Sequence, residues 1–540
     1  MMPRPRELPA RPNLEQLKKQ AKSLLHAAQA RVGDALHRFA ALPAFSGKSI
    51  DEIDVTDLAL HDAQSVIARE YGFSSWPALR EEVEARTLSF AEAVDEFIRC
   101  ATGGASGHAE RLLALHPNIA SANLYAELVR ADTDSVDGRL RDHPALATQP
   151  AGPQNWEPLL YVCHSCMHVT VPSRVNGFVA IAQRLCSLGA NPNAEYHWNW
   201  HPELPRTALW GSICAVGYLP LAEVLLKAGA NPTDGVAMHI AGGGGNIEAL
   251  ELLRRYGVNV NGIPGGVPPL VYMMLWSDNP AGPDWLLEHG ADANLAWGEG
   301  GEAPLHVAAR RWDLPMVERL VRHGADVLRQ RGDGATAHTL AELHGNTDIA
   351  AWMLAHGAHD ELSAVDRFAA ACARADRMTA EALLAGQPGL RTELRPEHHL
   401  MLHRPAESGN VAALETMLAC GFDPNTKDKD SVTSLHRAAM GGHPAAVLVL
   451  LHYGAKVNAM DGMFSASPLV WAVEGRHNAK HGGTDHVAVA RLLIAAGCPL
   501  GWTPPDGAPS AEGTLEGLAD LRKAAERRQD GPAGSRTAET

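Results

Sequence analysis

The segment LLEHGADAN, residues 286–294, has kin along most of the chain. They are LCSLGANPN (185–193), LLKAGANPT (225–233), LLRRYGVNVN (252–261), LVRHGADVL (320–328), MLAHGAHDE (353–361), MLACGFDPN (417–425), LLHYGAKVN (450–458) and LLIAAGCPL (492–500). Their glycines are Gly189, Gly229, Gly257, Gly290, Gly324, Gly357, Gly421, Gly454 and Gly497. From Gly257 to Gly357 the successive spacings are 33, 34 and 33 residues, and Gly421 to Gly454 is again 33. A fixed period of this size means one small unit used many times, each unit leaning on its neighbour to bury an apolar face it cannot bury alone. At 540 residues the chain is too long for a single ordinary core, and a stack removes the need for one.

Each tail has a partner 21 residues upstream of its glycine: APLHVAA from Ala303, TSLHRAA from Thr433, LMLHRPA from Leu400, VAMHIAG from Val236 and TAHTLAE from Thr336. APLHVAARR reads as a short inner helix with Pro304 in its first turn, where the missing N–H costs nothing. Met316, Leu320 and Val321 lie at helical spacing on a second helix. Gly324 ends that helix, where a left-handed residue is needed. With both halves in register, the pattern resembles ankyrin repeats, whose form is T-P-L-H-x-A-A … G-H … L-L-x-x-G-A-x-x-N, over roughly residues 155–500. The resemblance implies an all-α dominated fold: an ankyrin-repeat α-solenoid with short β-hairpin-like fingers and a helical N-terminal cap region. It also implies that His239, His306, His403 and His436, in the L-H position, join a structural hydrogen-bond network near the finger.

Three segments end differently: AERLLALHPNIA (109–120), DGRLRDHPALA (137–147) and EALLAGQPGL (381–390). They read as degenerate helix pairs that stack without a finger. The expected organisation is therefore an N-terminal helical segment (1–88), degenerate helical repeats (89–150) and a first run of repeats over 155–363. That run divides at about 157–193, 206–235, 236–265, 267–298, 302–331 and 335–363. A degenerate repeat (364–396) follows, then repeats over 398–502 at about 399–428, 432–461 and 466–500. A capping helix (503–528) and a disordered tail (529–540) complete the chain. HVTVPSRVNGF and RHNAKHGGT are insertions, which inter-helix loops tolerate at little cost.

NLEQLKKQAKSLLHAAQA puts Leu14, Leu17, Ala21, Leu24, Leu25 and Ala28 on one helical face. DAQSVIAREYGFSSWPALREEVEA (62–85) reads as two helices parted at Gly72. The second resembles the reading helix of a helix-turn-helix in position only, because Glu81, Glu82 and Glu84 would face phosphate. The formal net charge of −15 also opposes nucleic acid and anionic lipid. No apolar run approaches the roughly 20 residues that span a bilayer, and MMPRPRELPARP has no apolar core to serve as a signal. Eight cysteines in 540 residues make no disulfide framework. A cytoplasmic, monomeric protein is expected.

CHSCMH contains the sharpest metal candidate. If the helix continued, Cys163 and Cys166 would share a face, but zinc wants four ligands and no second pair stands nearby in sequence. No phosphate loop, nucleophile elbow or zinc-protease motif is present, and GGGGN (242–246) falls at an inter-helix turn. No catalytic residue, cofactor or metal is expected. The leading expectation is a non-enzymatic scaffold that binds a protein partner through fingers and inner helices. Two alternatives are a metal-dependent binder or enzyme using the Cys163/Cys166 region, and nucleic-acid binding through the N-terminal helices.

The candidate contacts are aromatic. NAEYHWNWHPELP, in a chain only 5% aromatic, gathers Tyr196, His197, Trp198, Trp200 and His201 into one lengthened finger. Other fingers offer Trp297, Met463 and Phe464. Exposed aromatic rings give large contact area at low entropy cost. The other reading of the loop is self-packing, with Trp198 and Trp200 folded onto Trp210.

Overall fold

The computed structural model describes residues 6–502, apart from 10, 43, 44, 46–48, 56, 57, 59, 169–171, 199, 200, 235, 263–265, 479–483, 500 and 501. The side chains of 61, 77, 172, 198, 201–204, 477 and 478 also lie outside that description. The expected capping helix and tail after residue 503 fall outside it as well. The fold is a helical repeat. Among the described residues the regular strands are Glu195–Trp198 and His201–Thr207, paired as one two-stranded sheet. No helix among them is long and apolar enough to cross a membrane. The chain forms two compact units. One comprises Met1–Tyr196, Pro205–Ala237 and Glu251–Val258; the other includes Met238–Leu250 and the chain from Asn259 onward.

In the first unit, Asn13 caps the helix Leu14–Gln29 by accepting the Gln16 N–H at 3.1 Å. The apolar face read from sequence is the one that packs: Leu17, Ala21, Leu24 and Ala28 are buried with Ala63, Val66 and Ile67 of Leu60–Glu70 and with Leu79 and Val83 of Trp76–Thr87. Arg38 clamps Glu70 through two hydrogen bonds of 2.6 and 3.0 Å. The acidic face of Trp76–Thr87 meets arginines, with Glu81 2.8 Å from Arg111 and Glu82 2.7 Å from Arg86.

Helix pairs follow. Phe90–Thr102 pairs with Ser106–Leu115 and Leu124–Val129 with Thr133–Asp142. Their outer helices end not in glycine but at His116 and His143. Each is followed by proline and a 3-10 turn, Pro117–Ser121 and Pro144–Ala147. Proline has no N–H and cannot extend the helix, so the chain turns back early with no finger. The next inner helix, Pro158–Cys163, stops at His164; Cys166 opens a separate 3-10 turn. Cys163 and Cys166 therefore do not share a helical face. Cys163 is fully buried and lies beside Cys186, while the Cys166 sulfur turns to the Cys100 carbonyl, 3.8 Å away.

The second unit contains the regular repeats. Inner helices Pro269–Trp276, Pro304–Arg311, Ala337–Leu343 and Ala364–Ala373 pack in a row. Each is partnered by an outer helix, such as Leu314–Arg322 after Pro304–Arg311. Met316, Val317 and Leu320 are buried. Gly324 has φ +90 and nothing within 4 Å of where a Cβ would stand. It is glycine for its backbone conformation and not for lack of room.

The signature asparagine splices repeats. Asn294 donates from Nδ2 to the Gly324 carbonyl at 2.7 Å, and its Oδ1 accepts the Asp326 N–H at 2.8 Å. Asn425 does the same to Gly454 and Lys456 at 3.0 and 2.7 Å. The L-H histidines tie inner helix to finger. His306 Nδ1 accepts the Ala303 N–H at 3.0 Å, which leaves Nε2–H to donate to the Arg329 carbonyl at 2.9 Å. His436 repeats this with Thr433 and Ala466.

One such assignment divides. His403 faces the Thr426 backbone of the finger, as His306 faces Arg329, but it does not cap the start of the helix. The helix start is Arg395-Pro396, and His398 takes the role: its Nδ1 accepts the Arg395 N–H at 3.0 Å. The inner helix then breaks between Pro396–Leu400 and His403–Ser408. The LMLHR spacing pointed to His403, but RPEH supplies proline at the first helical position and histidine at the third.

Candidate binding groove

The break in the inner helix opens the second unit. Ala364–Ala373 packs on Ala337–Leu343 and on the outer helix Val411–Ala419, while His403–Ser408 packs on Ser434–Gly441. Between them lies a cavity of about 1050 Å³. Its lining brings together residues from seven helices and two fingers, which no local sequence window contains.

One end gathers Arg310, Arg311, Arg331 and Arg404 beside His344, while the lining as a whole also carries Asp333, Glu361, Asp366, Glu393, Glu397, Glu407 and Asp428. Glu302 holds two of these arginines, with Oε2 2.7 Å from Arg310 and Oε1 3.4 Å from Arg331. Arg331 also pairs with Asp333. Arg404 donates to the Arg310 carbonyl, and exposed Arg311 has Asp278 at 3.7 Å. Arg310 Nε is buried without a partner among the described residues. Burial lowers the pKa of Arg310 and Arg404, and Arg311 adds repulsion to both. His344 is pushed down to about 4, first by burial and then by Arg310, Arg404 and Arg331, and so is neutral at pH 7. An anion entering this end relieves repulsion that the protein maintains by itself.

The other end holds Ser363, Asp366 and His398. Ser363 Oγ donates to Asp366 Oδ2 at 2.5 Å, and His398 Nε2–H donates to Asp366 Oδ1 at 2.8 Å. Burial works to raise the Asp366 pKa, but the His398 and Ser363 hydrogen bonds overcome it and hold the carboxyl at about 2. Serine, histidine and aspartate are thus together, yet both others donate to the carboxylate. His398 spends one nitrogen on Asp366 and the other on the Arg395 N–H. It has no lone pair left to take a proton from the hydroxyl, as a nucleophilic triad requires.

The aromatic candidates divide. Tyr196 stacks on Trp156 with centroids 4.1 Å apart, and His164 meets it edge-on at 5.1 Å. Trp210 stacks on His164, with the Arg206 guanidinium 4.4 Å above its ring. For Tyr196, self-packing describes the geometry. His197 is exposed. The side chains of Trp198, Trp200 and His201 lie outside the described residues. Phe464 is half-buried against the core, and its carbonyl accepts the Trp502 indole N–H at 2.9 Å. Met463 is 54% exposed.

Trp297 is half-buried and meets Trp276 edge-on at 6.1 Å; Trp276 itself is 55% exposed. Sequence reading passed over Trp276, because PLVYMMLW reads as one apolar helix and the last turn is the part left uncovered. The backbone of Trp297 pairs with Glu302 through two hydrogen bonds of 3.0 Å. Glu302 is also the carboxylate that holds Arg310 and Arg331. The Trp297 finger and the cationic end are therefore joined through one residue.

Comparison with known proteins gives the following. The family model described as ankyrin repeats matches in three copies, over residues 273–364, 368–461 and 402–500. Mouse (Mus musculus) Rabankyrin-5 is 28% identical over 218 residues, which is 37% of this chain and 18% of that protein. Human (Homo sapiens) ankyrin repeat and SOCS box protein 16 is 32% identical over 145 residues, 26% of this chain and 32% of that one. The human 2-5A-dependent ribonuclease is 42% identical over 64 residues, 12% of this chain and 9% of that one. The chain thus covers a minor part of each of these relatives. Among solved structures, the human ASB11 ankyrin repeat domain matches at 21% identity and a TM-score of 0.33, over 44% of this chain and 99% of that one.

Proposed function

The chain carries ankyrin repeats, and from that premise we propose that it is a protein-interaction scaffold whose second unit takes an acidic segment of a partner. The observation that carries this reading is the cationic end of the groove. Four arginines converge there, one of them with a buried nitrogen lacking a partner among the described residues, and Glu302 ties them to the finger of half-buried Trp297, which meets exposed Trp276. Arginine and tryptophan are the residues on which binding energy concentrates at interfaces. Arginine also forms the bidentate pairs that suit carboxylates. Other finger residues, Met463, His197, Trp198, Trp200 and His201, are further candidate contacts for a partner.

The scaffold performs no reaction of its own in this reading. In support, the Ser363, Asp366 and His398 set lacks a base facing the hydroxyl. All eight cysteines are free, which fits a reducing compartment such as the cytoplasm.

The test is capture of partners by the full chain from its native cell, set beside Arg311→Glu/Arg404→Glu and Trp276→Ala/Trp297→Ala. Charge reversal on the groove rim should weaken capture at least about tenfold and flatten its salt dependence. The tryptophan pair should weaken it without changing the salt slope. Capture that is equal in all three proteins refutes the groove as the contact. A fourth variant, Trp198→Ala/Trp200→Ala, asks whether the hairpin is the contact instead.

A further inference from the structure

We propose that the first unit binds one zinc ion, held by Glu96, Cys100 and His108, with Cys166 turning in from a neighbouring 3-10 turn to complete the set. Glu96 and Cys100 sit one turn apart at the end of the helix Phe90–Thr102, and His108 lies in the first turn of Ser106–Leu115. The link between the helices is only Gly103-Gly104-Ala105, and Gly104 has φ +85. That left-handed turn folds His108 back over Cys100. The ligand atoms of Glu96, Cys100 and His108 lie within 4.8 Å of one another. Cys100 Sγ is 3.4 Å from Glu96 Oε1.

The fourth group comes from the insertion-bearing repeat. Cys166 opens the 3-10 turn Cys166–His168, and its sulfur lies 3.8 Å from the carbonyl oxygen of Cys100 itself. That turn is fixed from beneath. Ser165 is fully buried and its Oγ donates to the Val129 carbonyl at 2.6 Å. The Met167 N–H in turn donates to Ser165 Oγ at 3.2 Å. Cys166 is thus carried beside the Cys100 backbone by a rigid element, outside the group whose ligand atoms lie within 4.8 Å of one another, and its side chain must rotate to join that group. Glu96 also faces Arg99 at 3.5 Å, a solvent-exposed pair worth little and easily exchanged for a metal bond.

The donor set names the ion. Two sulfurs, one imidazole and one carboxylate suit a four-coordinate, borderline-soft cation. Magnesium and calcium prefer all-oxygen shells. On binding, each thiol gives its proton to solvent and the thiolates become ligands. With Cys166 turned in, four protein ligands close the shell, so the role is structural: the ion ties the helix pair Phe90–Thr102/Ser106–Leu115 to the turn at Cys166. The inference explains why Cys166 and Cys163 diverge. Cys166 stands beside Cys100, and Cys163 lies by Cys186.

The experiment uses the full chain freed of metal and titrated with Zn²⁺ and with Co²⁺. The expected result is one ion per chain, with a thiolate-to-cobalt charge-transfer band and tetrahedral ligand-field bands. Cys100→Ser and Cys166→Ser should each diminish the charge-transfer band. Outer-shell partners alone change metal affinity about 10–100-fold, so His108→Ala and Glu96→Gln should each weaken zinc at least about tenfold. Cys186→Ser should bind as the parent does. His108 and Glu96 lie at the surface side, so their variants keep the fold even if loss of Cys100 disturbs it. The proposal is overturned by an unmodified chain with no tetrahedral cobalt spectrum. It is equally overturned if His108→Ala and Cys166→Ser bind zinc as tightly as the parent.

Discussion

His164 shows what burial does to a single residue here. It is 3% exposed, lies among Trp156, Tyr196 and Trp210, and has Nε2 3.2 Å from the Thr207 carbonyl. Burial first, and then Arg206, push its pKa down to about 4 despite the Thr207 hydrogen bond. An unfolded histidine titrates near 6.5. The folded form therefore holds fewer protons than the unfolded form between those values. The contribution to stability is complete above about pH 6.5 and is lost as pH falls toward about 4. At pH 5 His164 alone should cost about 2 kcal/mol relative to neutral pH. Thermal or denaturant melts at the two pH values measure the slope, and His164→Gln should reduce it by that amount. An unchanged slope would mean His164 is charged in the fold. At the same scale, spacing located the finger contact of His403 but not the cap. His403 lies 18 residues before Gly421, as His306 does before Gly324, yet Arg395-Pro396 starts the helix and His398 accepts the capping N–H.

At the scale of the element, helices and fingers are fixed by different bonds. The helix pairs stand on buried leucine, valine and alanine. The fingers stand on asparagine amides that reach across to the next repeat. Asn294→Ala removes two such bonds in an exposed setting, so it should destabilise by about 1–2 kcal/mol. Amide exchange at Asp326 should quicken while the amides of Leu314–Arg322 stay protected; uniform quickening would mean that the splice holds the helices too. The helices were legible because propensity, proline at the first turn and apolar spacing are local properties. The glycines were legible for the same reason. The splice was not, since an asparagine in a polar finger reads only as a turn residue until the neighbouring repeat stands beside it.

For the molecule, the repeats make stability a sum of neighbour contacts within each unit. Excising residues 302–334 from the second unit removes one inner helix, one outer helix and the carboxylate that binds Arg310 and Arg331. Unfolding of that unit should become less cooperative, with a shallower denaturant dependence as the exposed area falls. A single transition of undiminished slope would show that the flanking repeats re-join without loss. The excision should also abolish capture through the groove, since Arg310, Arg311 and Arg331 go with it.

The sequence by itself determined the period, the helix pairs, the glycine ends and the proline-terminated pairs without fingers. Each of these is written in residues a few positions apart, where backbone conformation and apolar spacing decide the outcome. The tertiary structure alone decided which side chains meet. Glu96, Cys100 and His108 share two helices, but Cys166 lies 66 residues on from Cys100. Arg310 and Arg404 are separated by 94 positions. A periodic sequence repeats its local instructions equally well at every unit. The places where it departs from them, at the broken helix after Arg395 and the stop at His164, bring distant charges and sulfurs into reach.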